Sequence, residues 1–277
     1  MKFTVLGSGG FIGRSMVQHL RDRGYAVEDP ARNVSDLRGK SLGHVIYAIG
    51  LTGNFRTRTR ETIDAHVYSL QRLMYEADFD SWLYLSSTRL YDMLPKDVIA
   101  SEDDALPVRS GPDAVYNLSK LLGESVCFGL DNPSVRVARL ANVYGSGMNQ
   151  NNFLGSVIHS AVQDGHVTIE EAAQSAKDYV AIDDVVTGLE DIALHGRSRL
   201  YNVASGRSVS HKDIADAMQN LGFGVKFSPD GPVRRFPQID TRRITQEFSR
   251  SFRSVIQDLP TLIEDIKLTL KISSKGL

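Results

Sequence analysis

A chain of 277 residues, 42% hydrophobic and 23% charged, is long enough for one large α/β domain and has the composition of a folded protein. Its formal net charge of −1 sets up no global field that would recruit nucleic acid or an anionic membrane. The single cysteine, Cys127, excludes an internal disulfide and a multi-cysteine metal site, and its apolar setting, SVCF, points to packing.

The N-terminal MKFTVLG enters an apolar strand pattern directly, without a charged leader. No apolar run approaches the ~20 residues needed to span a bilayer, so the expectation is a cytoplasmic protein without a membrane partner. Residues 3–6 read as a buried strand, followed by the glycine loop GSGGFIG and a helix from about Phe11 to Arg23 that stops at Gly24. HVIYAIG is a second strand, RTRETIDAHVYSLQRLMYEA a helix, and WLYLSS a third strand. Arg56, Arg58 and Arg60 read first as a solvated face and second as anion contacts. Residues 113–129 form a helix, SVRVARL a strand and NNFLGSVIHSAV a helix. This alternation predicts parallel βαβ units in a doubly wound, Rossmann-like α/β sheet. Beyond about residue 145 it loosens, with HVTI and LYNV among helices such as DIADAMQNL and LPTLIEDIKLTL. The expected organisation is a dinucleotide-binding region, 1–145, and a smaller substrate-binding lobe, 146–277, packed as one unit.

Gly7, Gly10 and Gly13 follow the first strand and open the first helix. A sharp turn, close backbone approach and a helix N-terminus with free N–H groups suit a diphosphate. Tyr116 and Lys120 lie four apart on a helix and so address one space. An ammonium beside a phenol stabilises the phenolate and brings it toward working range. Upstream, Ser86, Ser87 and Thr88 end a strand and offer hydroxyls to a substrate oxygen.

The ordered motifs GSGGFIG, VIYAIG, LSSTRLY, YNLSK, RLANVYG, KDYVAIDDV and YNVASG resemble the extended short-chain dehydrogenase/reductases. In particular they resemble the NAD-dependent epimerase/dehydratase family acting on nucleotide sugars. The resemblance implies that Ser87, Tyr116 and Lys120 are catalytic, with Tyr116 as acid/base and Lys120 binding the nicotinamide ribose. It implies that Gly7, Gly10, Phe11, Ile12 and Gly13 meet the cofactor, that Asp36 and Leu37 line the adenine, and that Ala48, Ile49 and Gly50 run along it. Thr88 and Asn142 would lie near the substrate, Arg235 would reach a nucleotide diphosphate, and KDYVAIDDV would support the substrate lobe. Arg32 stands where relatives bind a 2′-phosphate, so the expectation favours NADP over NAD, with Arg14 as a second cation and nearby Asp29 as the countervailing residue. The resemblance also implies a nucleotide-sugar substrate and a homodimer built on segments 58–77 and 113–129. No metal and no nucleic-acid partner is expected.

Four departures stand out. The segment between Gly24 and His44 is short, His66 replaces a common asparagine, Asp92 replaces a common glycine, and Thr88 and Arg89 replace the acids of 4,6-dehydratases. The implied activity is a 4-epimerase or 4-ketoreductase. The alternative is a non-catalytic dinucleotide-binding sensor or scaffold of the same fold.

Overall fold

The computed structural model describes residues 1–30, 37, 39–111, 114–150 and 152–274, so Arg32 and Asp36 lie outside the described residues. In chain order the first half runs β1 (Lys2–Leu6), α1 (Phe11–Asp22), β2 (Ala26–Glu28), β3 (His44–Tyr47), α2 (Thr59–Ile63), α3 (Ser69–Glu76), β4 (Ser81–Ser87), β5 (Ile99–Ala100) and α4 (Val115–Gly129). Next come β6 (Val135–Leu140), β7 (Asn142–Tyr144), α5 (Phe153–Asp164), β8 (His166–Ile169), β9 (Ala176–Ala181), α6 (Ile182–His195) and β10 (Leu200–Val203). The chain closes with β11 (Ser208–Ser210), α7 (His211–Asn220), β12 (Gly224–Phe227), β13 (Gln238–Ile239), α8 (Arg242–Phe248) and α9 (Val255–Ser274).

Six parallel strands form the main sheet in the order β10-β6-β4-β3-β1-β2. Strand alternation divides their side chains between two apolar layers. Val5, Ile46 and Leu83 pack with Met16 and Leu20 of α1 and Leu189 of α6. Val45, Tyr47 and Trp82 pack on the other side with Leu70 and Leu73 of α3 and Cys127 of α4. β1 lies between β2 and β3, so the sheet grows in opposite directions from it. In open α/β sheets ligands bind beyond the carboxyl ends of the strands at such a switch point.

A second core, including Ile158, Ile169, Met218 and Leu259, sits among α5, α7, α9 and the small sheets β11-β9-β7 and β12-β8. The region after residue 145 also returns α6 and β10 to the main layers. Among the described residues no helix is long and apolar enough to cross a membrane.

The helix expected over 58–77 is not continuous. Between α2 and α3 lies a π-helical turn, Asp64–Tyr68. Buried tyrosines satisfy carbonyls of this turn: Tyr47 donates to Ala65 O at 2.7 Å and Tyr84 to His66 O at 3.3 Å. α4 packs closely here because Gly123 has no side chain; a Cβ would stand 2.5 Å from the Tyr84 hydroxyl.

Candidate active site

The loops after β1, β3 and β4 meet α4 at the carboxyl edge of the sheet. After β1, Gly7 adopts φ +96°, and a Cβ on it would stand 2.7 Å from the Ala48 carbonyl carbon. A Cβ on Gly13 would stand 2.2 Å from Gly7 O, so the turn and the start of α1 interlock only as glycines. Gly10 N–H closes the turn onto Gly7 O at 3.1 Å. α1 has no side-chain cap and no acidic residue in its first turn. Its first N–H groups, at Phe11, Ile12 and Gly13, are therefore open to an anion. After β3, Ala48 and Ile49 are half-buried and Gly50 is exposed.

Ser86 and Ser87 end β4 and, as neighbours on a strand, face opposite ways. Ser86 donates to Glu124 Oε1 at 2.5 Å. Ser87 caps the 3₁₀ segment Thr88–Met93, accepting the Arg89 N–H at 3.2 Å. Tyr116, on the first turn of α4, is buried against it. Burial pushes the phenol up from its ordinary value, while a hydrogen bond with the Ser87 side chain and the Arg89 positive charge oppose that rise.

Lys120, one turn further, is 4% exposed. Its Nζ donates to Leu85 O at 2.7 Å and lies 4.8 Å from the Tyr84 ring centre. Burial brings the ammonium down to about 7, with Glu124 opposing. A Cβ on Gly50 would lie 3.5 Å from Lys120 Nζ and 3.4 Å from His66 Nε2, so the β3 loop and α4 share one wall of the site.

His66 is fully buried in the π-helical turn. Ser119 Oγ donates to Tyr116 O at 3.0 Å and so accepts from His66 Nδ1–H at 2.9 Å. His66 Nε2 accepts the Leu51 N–H at 3.2 Å. Both contacts call for the neutral ring, and burial lowers its pKa to about 2. The histidine thereby ties the β3 loop to the helix that carries Tyr116.

The remaining sequence expectations are distributed unevenly. Thr88 is half-buried and donates to Leu140 O at 3.3 Å. Asn142 is exposed at the start of β7 and donates to Asp178 O at 2.8 Å. Leu37 is 3% exposed among Leu6, Leu42 and Val45, which leaves its side chain little surface to offer a base. Arg235 is exposed, and no contact among the described residues links it to Tyr116. Arg14 is exposed, with Nη1 donating to Gly9 O at 3.4 Å. In the lobe, the KDYVAIDDV strand carries Lys177, 3.3 Å from Glu171, and Arg234 approaches the same carboxylate at 3.5 Å. His211 stacks on Phe153 at 3.8 Å.

Phe55 and Arg89 were not singled out as site residues from sequence. Phe55 is 3% exposed with its ring centre 5.5 Å from that of Tyr116. Arg89 has its guanidinium carbon 5.3 Å from the Tyr116 ring centre. The only signal for Arg89 was its place two residues after Ser87.

The model of the NAD dependent epimerase/dehydratase family matches residues 3–204. The dTDP-glucose 4,6-dehydratase of Streptomyces griseus is 29% identical over 161 residues, 53% of this chain and 46% of that protein. The UDP-glucuronic acid decarboxylase 1 of Danio rerio is 26% identical over 140 residues, 47% of this chain and 34% of that protein. The chain thus spans less than half the length of these curated relatives. Among solved structures, MoeE5 in complex with UDP-glucose and NAD superposes with a TM-score of 0.81 at 22% identity, over 98% of this chain and 100% of that one. The UDP-glucuronic acid 4-epimerase from Bacillus cereus, in complex with UDP-glucuronic acid and NAD, gives 0.81 at 18% identity, over 97% and 100%. At such identities the likeness to solved structures speaks for the fold.

Proposed function

The chain belongs to the NAD dependent epimerase/dehydratase family, and we propose that it works on a ring carbon of a nucleotide sugar as a 4-epimerase or 4-ketoreductase. The observation that carries this reading is the convergence of Ser87, Tyr116 and Lys120 beside Gly50 at the carboxyl edge of the sheet. The glycine cradle, closed to any Cβ at Gly7 and Gly13, suits the diphosphate of NAD. Lys120 and Gly50 would face the nicotinamide ribose, with Ala48 and Ile49 alongside. When bound, NAD supplies the hydride acceptor and donor.

The protein's own residues manage the oxygen and its proton. Ser87 holds the sugar hydroxyl by a hydrogen bond. Tyr116 takes the hydroxyl proton in the oxidising direction and returns it in the reducing direction. Thr88 and Asn142 would border the sugar, and Arg235 would reach the diphosphate. Thr88 and Arg89 offer no carboxylic acid for eliminating water, so the reading excludes a 4,6-dehydratase. The preference for NADP expected from Arg32 rests on a residue outside the described set. The end of β2 is acidic: Glu28 pairs with Lys2 at 3.0 Å, and Asp29, just beyond it, with Arg21 at 2.9 Å. Acidic side chains there suit a free ribose hydroxyl, so the proposed cofactor is NAD, and titrating both cofactors decides it. A homodimer is proposed on the exposed apolar face of Ile63, Tyr68, Tyr75, Leu118, Leu122 and Phe128. A monomer mass in light scattering would count against it.

The test incubates the purified chain with NAD and UDP-glucose, UDP-glucuronic acid or dTDP-glucose, and identifies products by NMR. A C4 epimer or 4-keto sugar, absent with Tyr116→Phe, is expected. A 4-keto-6-deoxy product refutes the reading. Tight NAD binding without turnover of any sugar would favour the sensor alternative.

A further inference from the structure

Lys120 is buried without an acid in contact. Its Nζ meets Leu85 O and the Tyr84 ring, and among the described residues no carboxylate oxygen lies within ion-pair distance of it. An ammonium in a dry interior calls for a counter-charge nearby. The acid that acts on it is Glu124, 1% exposed and one turn further along the same face of α4. The two side chains dock on neighbouring residues of β4: Lys120 donates to Leu85 O at 2.7 Å, and Ser86 Oγ donates to Glu124 Oε1 at 2.5 Å. Arg139 grips the carboxylate from β6, through Nε at 2.9 Å and Nη2 at 2.7 Å, and so fixes it where it stands. The other ionisable groups beside the lysine are Tyr116 and Cys127 of α4, Tyr84 of β4 and His66 of the π-helical turn. Burial holds both phenols and the thiol above their ordinary values and keeps His66 neutral, so none of them carries charge near neutral pH.

We propose that Glu124 is a positioning residue for the cofactor: its carboxylate, clamped by Ser86 and Arg139, keeps Lys120 an ammonium at the nicotinamide ribose. An ammonium has three donors. Leu85 O takes one, which leaves two for the ribose hydroxyls. A neutral amine has two donors and would keep only one for the ribose. The oxygens of Glu124 are taken by Ser86 and Arg139, so Glu124 acts only through the lysine. This inference rests on the proposed place of Lys120 beside the ribose of NAD.

The test removes both charges of the pair together, so that none is stranded. Two double variants do this with different packing, Glu124→Gln/Arg139→Gln and Glu124→Leu/Arg139→Met, so a packing defect in one does not decide the outcome. Without the carboxylate, Lys120 should lose its proton about one pH unit earlier than in wild type. The folded wild type releases this proton at about 7 and the unfolded chain near 10.5. Stability rises with pH wherever the unfolded chain holds more protons, and in the variants that rise begins about one unit lower. Relative to wild type, their folding constant from urea unfolding should therefore increase about tenfold between about pH 5 and pH 8. In a Lys120→Met background this increase should vanish. At about pH 7 roughly half of the wild type but about a tenth of a variant carries the ammonium. NAD should then bind the variants about fivefold more weakly by calorimetry at that pH, and nearly equally at about pH 5. A relative stability independent of pH, or a change that persists in the Lys120→Met background, overturns the proposal. A shifted profile with unchanged NAD affinity overturns the cofactor role and leaves the proposed function standing. No binding of NAD by the wild type refutes the proposed function, and the cofactor role with it.

Discussion

Replacing Lys120 with methionine should stabilise the protein below neutral pH while disabling it. The ammonium is 4% exposed, and burial lowers its pKa from 10.5 to about 7. Below pH 7 the fold therefore carries a charge that water would solvate better. At about 1.4 kcal/mol per pH unit this costs on the order of 5 kcal/mol. Methionine fits a similar volume but leaves Leu85 O without its donor, a loss of about 1–3 kcal/mol. Glu124 keeps its two hydrogen bonds from Arg139, at 2.9 and 2.7 Å, so no second charge is stranded. The net gain is roughly 2–4 kcal/mol below pH 7. Between about pH 7 and 10.5 the unfolded chain holds this proton and the folded chain does not. Wild-type stability should therefore rise with pH across that window, and the advantage of the variant should shrink. Urea unfolding of both proteins at about pH 6 and pH 9 reads the difference directly. A variant less stable than wild type at the lower pH, or an advantage equal at both, refutes the reasoning.

Tyr116→Phe should cut single-turnover rates by about 10²–10⁴ and leave NAD affinity nearly unchanged; a rate within about twofold of wild type would remove Tyr116 from proton transfer. Gly13→Ala places a Cβ 2.2 Å from Gly7 O and should weaken NAD binding by at least about tenfold, measured by titration calorimetry, with the circular dichroism retained. His66→Ala strands the Leu51 N–H and should cost about 1–3 kcal/mol in urea unfolding. His66 stays neutral in the fold while the unfolded chain protonates below about pH 6.5, so stability should fall as pH drops through that value; His66→Asn should flatten that slope.

The legible parts of this molecule were those written in local spacing. The glycine loop declares itself because a strand, three glycines and a helix follow one another. Tyr116 and Lys120 stand out as a four-residue step on a helix, whereas the strand end offers Ser86, Ser87 and Thr88 alike and only the family resemblance separates Ser87 from them. The π-helical turn was not legible, because its apolar spacing matches an uninterrupted helix. What bends it is tertiary: hydroxyls of Tyr47 and Tyr84, from two different strands, take the carbonyls that the turn presents. Phe55 was invisible for a related reason, since a single aromatic in a loop has no period to betray its burial. Arg89 was read for the acid it replaces, and its place beside the rings of Phe55 and Tyr116 is set by tertiary packing that no local spacing reveals.

The same distinction explains how the site keeps its shape. Ser86 and Ser87 share a strand end, so fixing one sets the direction of the other. Ser86 is held by Glu124, one helical turn beyond Lys120, and Glu124 is held by Arg139 from β6. Arg139 donates on to the Tyr91 hydroxyl at 2.9 Å, and Tyr91 to Asn202 Oδ1 at 2.8 Å. The backbone N–H of Asn202, on β10, donates to Glu102 at 2.8 Å. A buried ion pair adds little net stability over an apolar pair of equal volume, yet losing one partner costs about 3–5 kcal/mol. Its worth is therefore directional. β4, α4, β6 and β10 are tied together at the edge where Ser87, Tyr116 and Lys120 lie. An apolar interface of the same size would permit the sliding that a hydrogen-bonded carboxylate forbids.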